Sequence, residues 1–375
     1  MSMSSGKHYP ALDGLRGLAI LLVIAHNGLT MDLDRASSLG KVIYKLLDTG
    51  WIGVTLFFAL SGFLITGILL DTQGKPRAWL NFTVRRALRI FPPYYLALIV
   101  LLLLLPAIGL APAGVEDSRD NQVWLWTYLI NWFQSTGHGV AAVPHFWSLA
   151  IEEQFYLVWP LVIFACRSPR QVMWACLFTA AISIGTRAWM ARQGGMEDMI
   201  YTFTVTRMDA LAFGGLAAWA MREQGLVDWL SRHRIPVLAS LSALTLATLG
   251  YTHLLGRTSE RSFTVGYAVL GLVFAYWVLA LALRDRAGIA GPASAWARSR
   301  LLGGIGLVSY GMYIVHKPLN DFVLLPMAQR QGWDVGSLLG GLLYLVALTA
   351  ASYGVAKLSF HAFEQPILRL KRHFA

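Results

Sequence analysis

The sequence predicts an all-α protein, a polytopic transmembrane helical bundle of about ten spans with one short re-entrant or interfacial segment. Three observations predict it. Hydrophobic residues make up 56% of the chain, charged residues 14%, and the mean hydropathy is +0.54, a composition unlike that of an ordinary water-soluble domain. The apolar residues fall in runs of about 20, the length an α-helix needs to cross the hydrocarbon of a bilayer. Most cations lie in the short stretches between runs, where Lys and Arg set topology. The net charge of +11 is therefore read as a topology signal, and nucleic acid is not expected as a partner. Spans consume most of the 375 residues, so 1–375 is expected to be a single transmembrane domain with its chemistry inside the bundle.

In chain order the runs lie near 15–29, 50–70, 91–110, 146–166, 171–189, 203–221, 235–254, 263–283, 303–325 and 337–359. Between the third and fourth, NQVWLWTYLINWF (121–133) is too short to cross comfortably and is rich in Trp and Tyr, which suits the interfacial or re-entrant element. Eighteen Lys and Arg, Lys7 among them, fall on one side of this topology, nine on the other and four within the runs. By the positive-inside rule both termini face the cytoplasm, as an even number of spans requires. Cys166 and Cys176 sit at the ends of adjacent runs and read as packing residues, with no metal-ligand set. The first run carries Arg16 and His26 and is followed by no small-residue cleavage site, so no cleavable leader is expected. No internal repeat is evident, which weakens a transporter reading.

Ionisable groups inside apolar runs mark where function is to be sought, because an arginine in hydrocarbon costs about 2.5–3.5 kcal/mol even on insertion scales. In LDGLRGLAILLVIAHN (12–27), Arg16 and His26 have only apolar and glycine neighbours. The plain alternative is a histidine satisfied by helix packing. Asp13 and Arg16 are three apart and share a helix face, so they can pair and lower the arginine's cost. In HFWSLAIEEQFY (145–156), His145, Ser148, Glu152 and Tyr156 recur at intervals of three and four, a polar stripe that lipid would not tolerate. RRALRIFPPYY (85–95) starts in a positive loop and ends at two prolines that open the next span. Its Arg86 and Arg89 share a face, and ordinary positive-inside charge would also explain them. TRMDALAFGG (206–215) sets Arg207 and Asp209 near the outer end of a span, where Arg207 is expected to hold a ligand or a carboxylate; Gly214 and Gly215 permit close helix contact. FFALSGFLIT (57–66) carries the small pair Ser61 and Gly62 mid-helix, a sign of tight packing. SYGMYIVHKP (309–318) aligns Ser309, Tyr313 and His316, with His316 either a second base or a structural hydrogen-bond knot.

Taken in this order, the six motifs resemble the acyltransferase-3 family of membrane-bound acyltransferases, from about residue 9 to about 365. The resemblance implies transfer of an acyl group, acetyl foremost, from cytoplasmic acyl-CoA to a hydroxyl of a cell-surface or lipid-linked glycan such as an exopolysaccharide or lipopolysaccharide. It also implies a multi-pass protein of the bacterial cytoplasmic membrane. Some members carry a further esterase-like domain at the C-terminus; this chain ends in LRLKRHFA and resembles the stand-alone form. The rival reading is a transporter or flippase of a lipid-linked sugar, in which buried charges relay protons or grip substrate.

Acylating a hydroxyl needs a base to take its proton, and histidine is the side chain that titrates nearest neutrality. His26 is the candidate, about 21 Å along its helix from Leu12. The resemblance makes Glu152 and Arg16 the groups that shape its surroundings, although Glu152 can equally neutralise Arg16 or Arg207. Arg85, Arg86 and Arg89 are expected to hold the CoA phosphates, since guanidinium forks match them. Asp13, His145, Ser148, Arg207 and His316 are expected on the acceptor side. One departure stands out: the family's usual pattern has one more residue between the arginine and the histidine. Ten steps of about 100° leave His26 about 80° off the Arg16 face, with Asn27 at the usual angle. A tightened turn or a rotated helix would resolve this.

Overall fold

The computed structural model describes residues 8–111, 114–252, 256–289 and 291–374; Lys7 and the last residues of the 235–254 run lie outside them. Among the described residues the chain is helical with no strand. Seven helices there are long and apolar enough to cross a membrane: Ser38–Thr72, Ala78–Ala107, Pro144–Ala165, Pro169–Arg192, Arg234–Tyr251, Ser262–Arg286 and Leu338–His373. This is a multi-pass membrane protein.

The other three expected spans are helical but short or interrupted, each for a visible reason. The first is an 18-residue helix, Pro10–Asn27, whose apolar run is diluted by Asp13, Arg16 and His26. The 203–221 run becomes a 3-10 turn, Val205–Arg207, followed by a 13-residue helix, Met208–Ala220. The 303–325 run breaks at Val308 between helices Arg300–Leu307 and Ser309–Pro318, then continues as a π-helical stretch, Leu319–Leu324. The 121–133 stretch forms two pieces of five and six residues, Gln122–Trp126 and Ile130–Ser135. They meet at an elbow where Tyr128 takes φ 56°.

One expectation is corrected. Arg85, Arg86 and Arg89 do not sit in a loop: helix Ala78–Leu98 carries them and runs on through Pro92 and Pro93. Proline's fixed φ is itself helical, and a spanning helix tolerates the loss of two backbone bonds where neighbours supply polar contacts. In the same turn, the Tyr310 hydroxyl donates to the Ile90 carbonyl at 3.1 Å.

The chain divides into two compact units. The first comprises Met1–Gly17, Thr55–Trp79 and Ile151–Gly306. Its centre is helix Met208–Ala220, made largely of Ala and Gly and buried at nine of its thirteen positions. Small residues let backbones touch: a methyl group at Gly62 would fall 1.9 Å from the Leu211 carbonyl oxygen, and one at Gly214 2.1 Å from that of Ala59. Helices associate in lipid through such close packing because apolar side chains gain nothing by leaving the lipid tails.

The second unit comprises Leu18–Val54, Leu80–Ala150 and Leu307–Ala375. Here Gly50 and Gly53 press on the first helix, their added methyls falling 2.0 Å from the Leu22 carbonyl oxygen and 2.4 Å from that of Ala19. Tyr94 anchors the elbow by donating to the Leu125 carbonyl at 2.7 Å and stacking on Tyr128, centroids 4.1 Å apart. Helix Ser309–Pro318 packs on Leu338–Ser359, with Gly311 facing Ala356.

The glycine contact on the first helix gives a direct test. Gly50→Ala should lower stability by about 1–3 kcal/mol, the range for forcing extra volume into a packed site. Gly185→Ala, at a position with open space around it, should cost nothing measurable. Thermal unfolding of the two variants in detergent checks the difference.

Candidate active site

His26 is the second-last residue of helix Pro10–Asn27, and its side chain is 19% exposed. Its Nδ1 lies 2.8 Å from the Asp48 carbonyl oxygen and 3.0 Å from a carboxylate oxygen of the same residue. Local sequence explains why Asp48 is there. Ser37 caps the start of helix Ser38–Asp48 by accepting from the Gly40 amide, and the chain then turns through a 3-10 segment, Thr49–Trp51, whose Gly50 sits on the first helix. Asp48 therefore ends one helix two residues before a backbone contact with another. Carbonyls at a helix C-terminus lack their full set of intrahelical partners and are available to a side chain.

Sequence reasoning missed Asp48. The only signal for it was an acidic residue next to Thr-Gly-Trp at the start of the second apolar run, and nothing in that pattern points back 22 positions to His26. Glu152, the expected orienting carboxylate, sits half-buried in helix Trp147–Ala165.

Arg16 pairs with Asp13 as the three-residue spacing implied, Nη1 to Oδ1 at 2.9 Å. Asp13 also meets His8 Nε2 at 2.7 Å.

Arg207 is buried, at 2% exposure, and donates to Thr55 Oγ1 at 3.3 Å. Its guanidinium lies over the rings of Tyr267, Tyr201 and Phe58, at 4.3, 5.2 and 5.7 Å from their centroids. Aromatic faces stabilise a desolvated cation by about 2 kcal/mol or more. The carboxylate beside it in sequence, Asp209, is held by a different arginine. Arg187, fully buried, donates to Asp209 Oδ2 at 2.6 Å, to the Thr206 carbonyl at 2.5 Å and to the Phe263 carbonyl at 2.6 Å. Arg187 lies inside the 171–189 run, and that position in an apolar stretch is the signal in the sequence for its burial.

His145 and His316 come together, ring centroids 4.8 Å apart. His145 Nε2 donates to the Ile314 carbonyl at 3.3 Å, and His316 Nδ1 to that of Tyr313 at 2.7 Å. Ser148 Oγ lies 2.6 Å from the Tyr313 hydroxyl, which donates to the His145 carbonyl at 3.0 Å. With His316 at 0% exposure, these residues form an internal hydrogen-bond knot. His145 lies in the 3-10 turn Pro144–Phe146 that precedes the helix carrying Ser148, so the expected stripe begins one turn before the α-helix does. Tyr156, further along, bonds to Ser61. Lys317, charged within an apolar run, meets Asp321 one turn on, at 2.8 and 2.7 Å.

Arg86 and Arg89 are half-buried on helix Ala78–Leu98 and Arg85 is exposed, its Nη1 reaching the Phe374 carbonyl at 3.5 Å. Lys371, in the 3-10 turn Arg369–His373, lies within electrostatic range of all three arginines, and Glu364 within range of Arg89. The face is strongly basic and suited to a polyanion.

The buried ion pair yields a prediction. Arg187→Met leaves Asp209 buried without its cation and should cost about 3–5 kcal/mol, while Arg187→Met with Asp209→Leu should recover most of the loss. Thermal unfolding of the single and double variants reads this out.

Comparison with known proteins follows the same lines. The family model described as an acyltransferase domain matches residues 9–357. A peptidoglycan O-acetyltransferase, OatA, from Listeria monocytogenes is 28% identical over 97% of this chain and 56% of its own length. The O-acetyltransferase OatA of Staphylococcus aureus is 26% identical over 97% of this chain and 58% of its own length. A putative peptidoglycan O-acetyltransferase, YrhL, from Bacillus subtilis is 27% identical over 96% and 55%. The chain thus spans a little over half the length of these curated relatives. No solved structure matches it.

Proposed function

From the premise that this chain belongs to the acyltransferase family whose domain model it matches over residues 9–357, we propose that it is a membrane-embedded O-acetyltransferase acting on a glycan. Acyl-CoA is the donor in this reading. The acceptor class, a cell-wall glycan of the peptidoglycan kind, is drawn from the named activities of the relatives.

The observation that carries the reading is the environment of His26. Two oxygen acceptors at Nδ1 require that nitrogen to bear the hydrogen, because neither a carbonyl nor a carboxylate has one to give. In the neutral imidazole the lone pair is then on Nε2, which is the state a general base needs.

The acceptor oxygen attacks the thioester carbonyl carbon while its proton passes to Nε2. Collapse of the intermediate breaks the carbon–sulfur bond, and the proton on Nε2 passes to the departing thiolate, leaving an O-acetyl ester and free CoA thiol. Arg86 and Arg89, supported by Arg85, hold the CoA phosphates. The side richer in Lys and Arg faces the cytoplasm in this reading, with both termini, and the His26 end of its helix lies toward the outside. A donor from within and an acceptor from without then meet inside the bundle.

Purified protein in liposomes, given radiolabelled acetyl-CoA and soluble cell-wall glycan fragments, should acetylate the glycan and release one free thiol per ester formed. A transporter or flippase would release none. His26→Gln should lose about 100- to 10,000-fold in rate, the contribution of a positioned base. Arg86→Gln and Arg89→Gln should each raise the KM for acetyl-CoA about 10-fold or more and leave kcat near the parent value, as expected when a charge-assisted contact made equally in ground and transition states is lost.

A further inference from the structure

We infer that Asp48 is the positioning residue of the acyl-transfer site: its carboxylate locks the His26 ring and stabilises the imidazolium that forms while His26 holds the acceptor's proton. The inference rests on the reading of His26 as the base and names the group that makes it one.

Three features of the geometry support it. The carbonyl and the carboxylate of one residue both lie within hydrogen-bond distance of one nitrogen, at 2.8 and 3.0 Å, so ring orientation and tautomer are fixed together. Asp48 is the last α-helical residue before the 3-10 turn Thr49–Trp51, where the bonding pattern changes and its main-chain carbonyl is turned to the ring. Its position relative to His26 is set by main chain, since Gly50 and Gly53 rest on the carbonyls of Leu22 and Ala19. A base held this way gains its advantage when positive charge develops on the ring, which happens in the transition state and in the intermediate. Stabilisation specific to those states raises kcat and leaves substrate affinity alone.

The Asp48 side chain is half exposed, 50%, so removing it opens no cavity in the core and the fold should tolerate the change. Asp48→Asn keeps the size and the main-chain carbonyl and removes only the charge. We expect kcat to fall about 10- to 100-fold, less than for loss of His26 itself because the carbonyl still holds Nδ1, with the KM for acetyl-CoA within twofold of the parent. Asp48→Ala should behave alike. Both variants should elute as the parent does in detergent and unfold at a similar temperature.

A kcat within twofold of the parent in both variants overturns the inference. So does a fall in kcat that comes with a raised KM or a lowered unfolding temperature, which would mark Asp48 as structural only. His26→Gln, measured alongside, separates the two readings: if it retains activity, the base assignment fails, and if it is inactive while Asp48→Asn is fully active, only the role of Asp48 fails.

Discussion

Backbone contact at glycine is the constraint on which the other features rest. Inside lipid, apolar side chains gain little by turning from tails to protein, so helices are held by close approach and by polar contacts. Gly50 and Gly53 bring the turn after helix Ser38–Asp48 onto the carbonyls of Leu22 and Ala19, and Gly62 and Gly214 do the same reciprocally in the other unit. A flexible side-chain contact would leave Asp48 free to drift by an ångström or more. A main-chain contact two residues away does not, and that is what a 2.8 Å bond to His26 requires.

The charges inside the apolar runs are accommodated by several devices. Arg16 and Lys317 use an acid one helical turn away. Arg187 has a carboxylate and two carbonyls, and Arg207 three ring faces and a hydroxyl. A guanidinium does not give up its proton in a protein, so these groups shape and stabilise. The imidazoles of His145 and His316 are sealed in the interior. His26 differs in being partly exposed, with its ring held at Nδ1 by Asp48.

How much of this the sequence disclosed follows from the range of the interactions. The Asp13–Arg16 pair was legible because helix geometry fixes what lies three residues away. So were the membrane class, most span positions and the short element around 121–133, all set by composition over windows of residues. The Arg187–Asp209 pair and the His26–Asp48 contact, each 22 residues apart, join different helices, and a single sequence holds no periodicity that reports such a pairing. Nor does the closeness of Arg207 and Asp209 in sequence report that Asp209 is held by Arg187, from another helix. The continuation of helix Ala78–Leu98 through two prolines failed for a related reason: the rule that proline ends a helix is learned from water-exposed backbone.

The ten-residue interval between Arg16 and His26 finds its explanation in the same contacts. The helix stays α-helical through Asn27, so no tightened turn brings the histidine back to the arginine's face, and about 80° of rotation separates them. Asn27, which stands at the angle the family's histidine usually takes, spends its amide on the Val23 carbonyl at 3.0 Å and so remains tied to its own helix. Arg16 pairs with Asp13 toward the other end of the helix. His26 Nδ1 meets the last residue of helix Ser38–Asp48, and Gly50, two residues further on, rests on the first helix at Leu22.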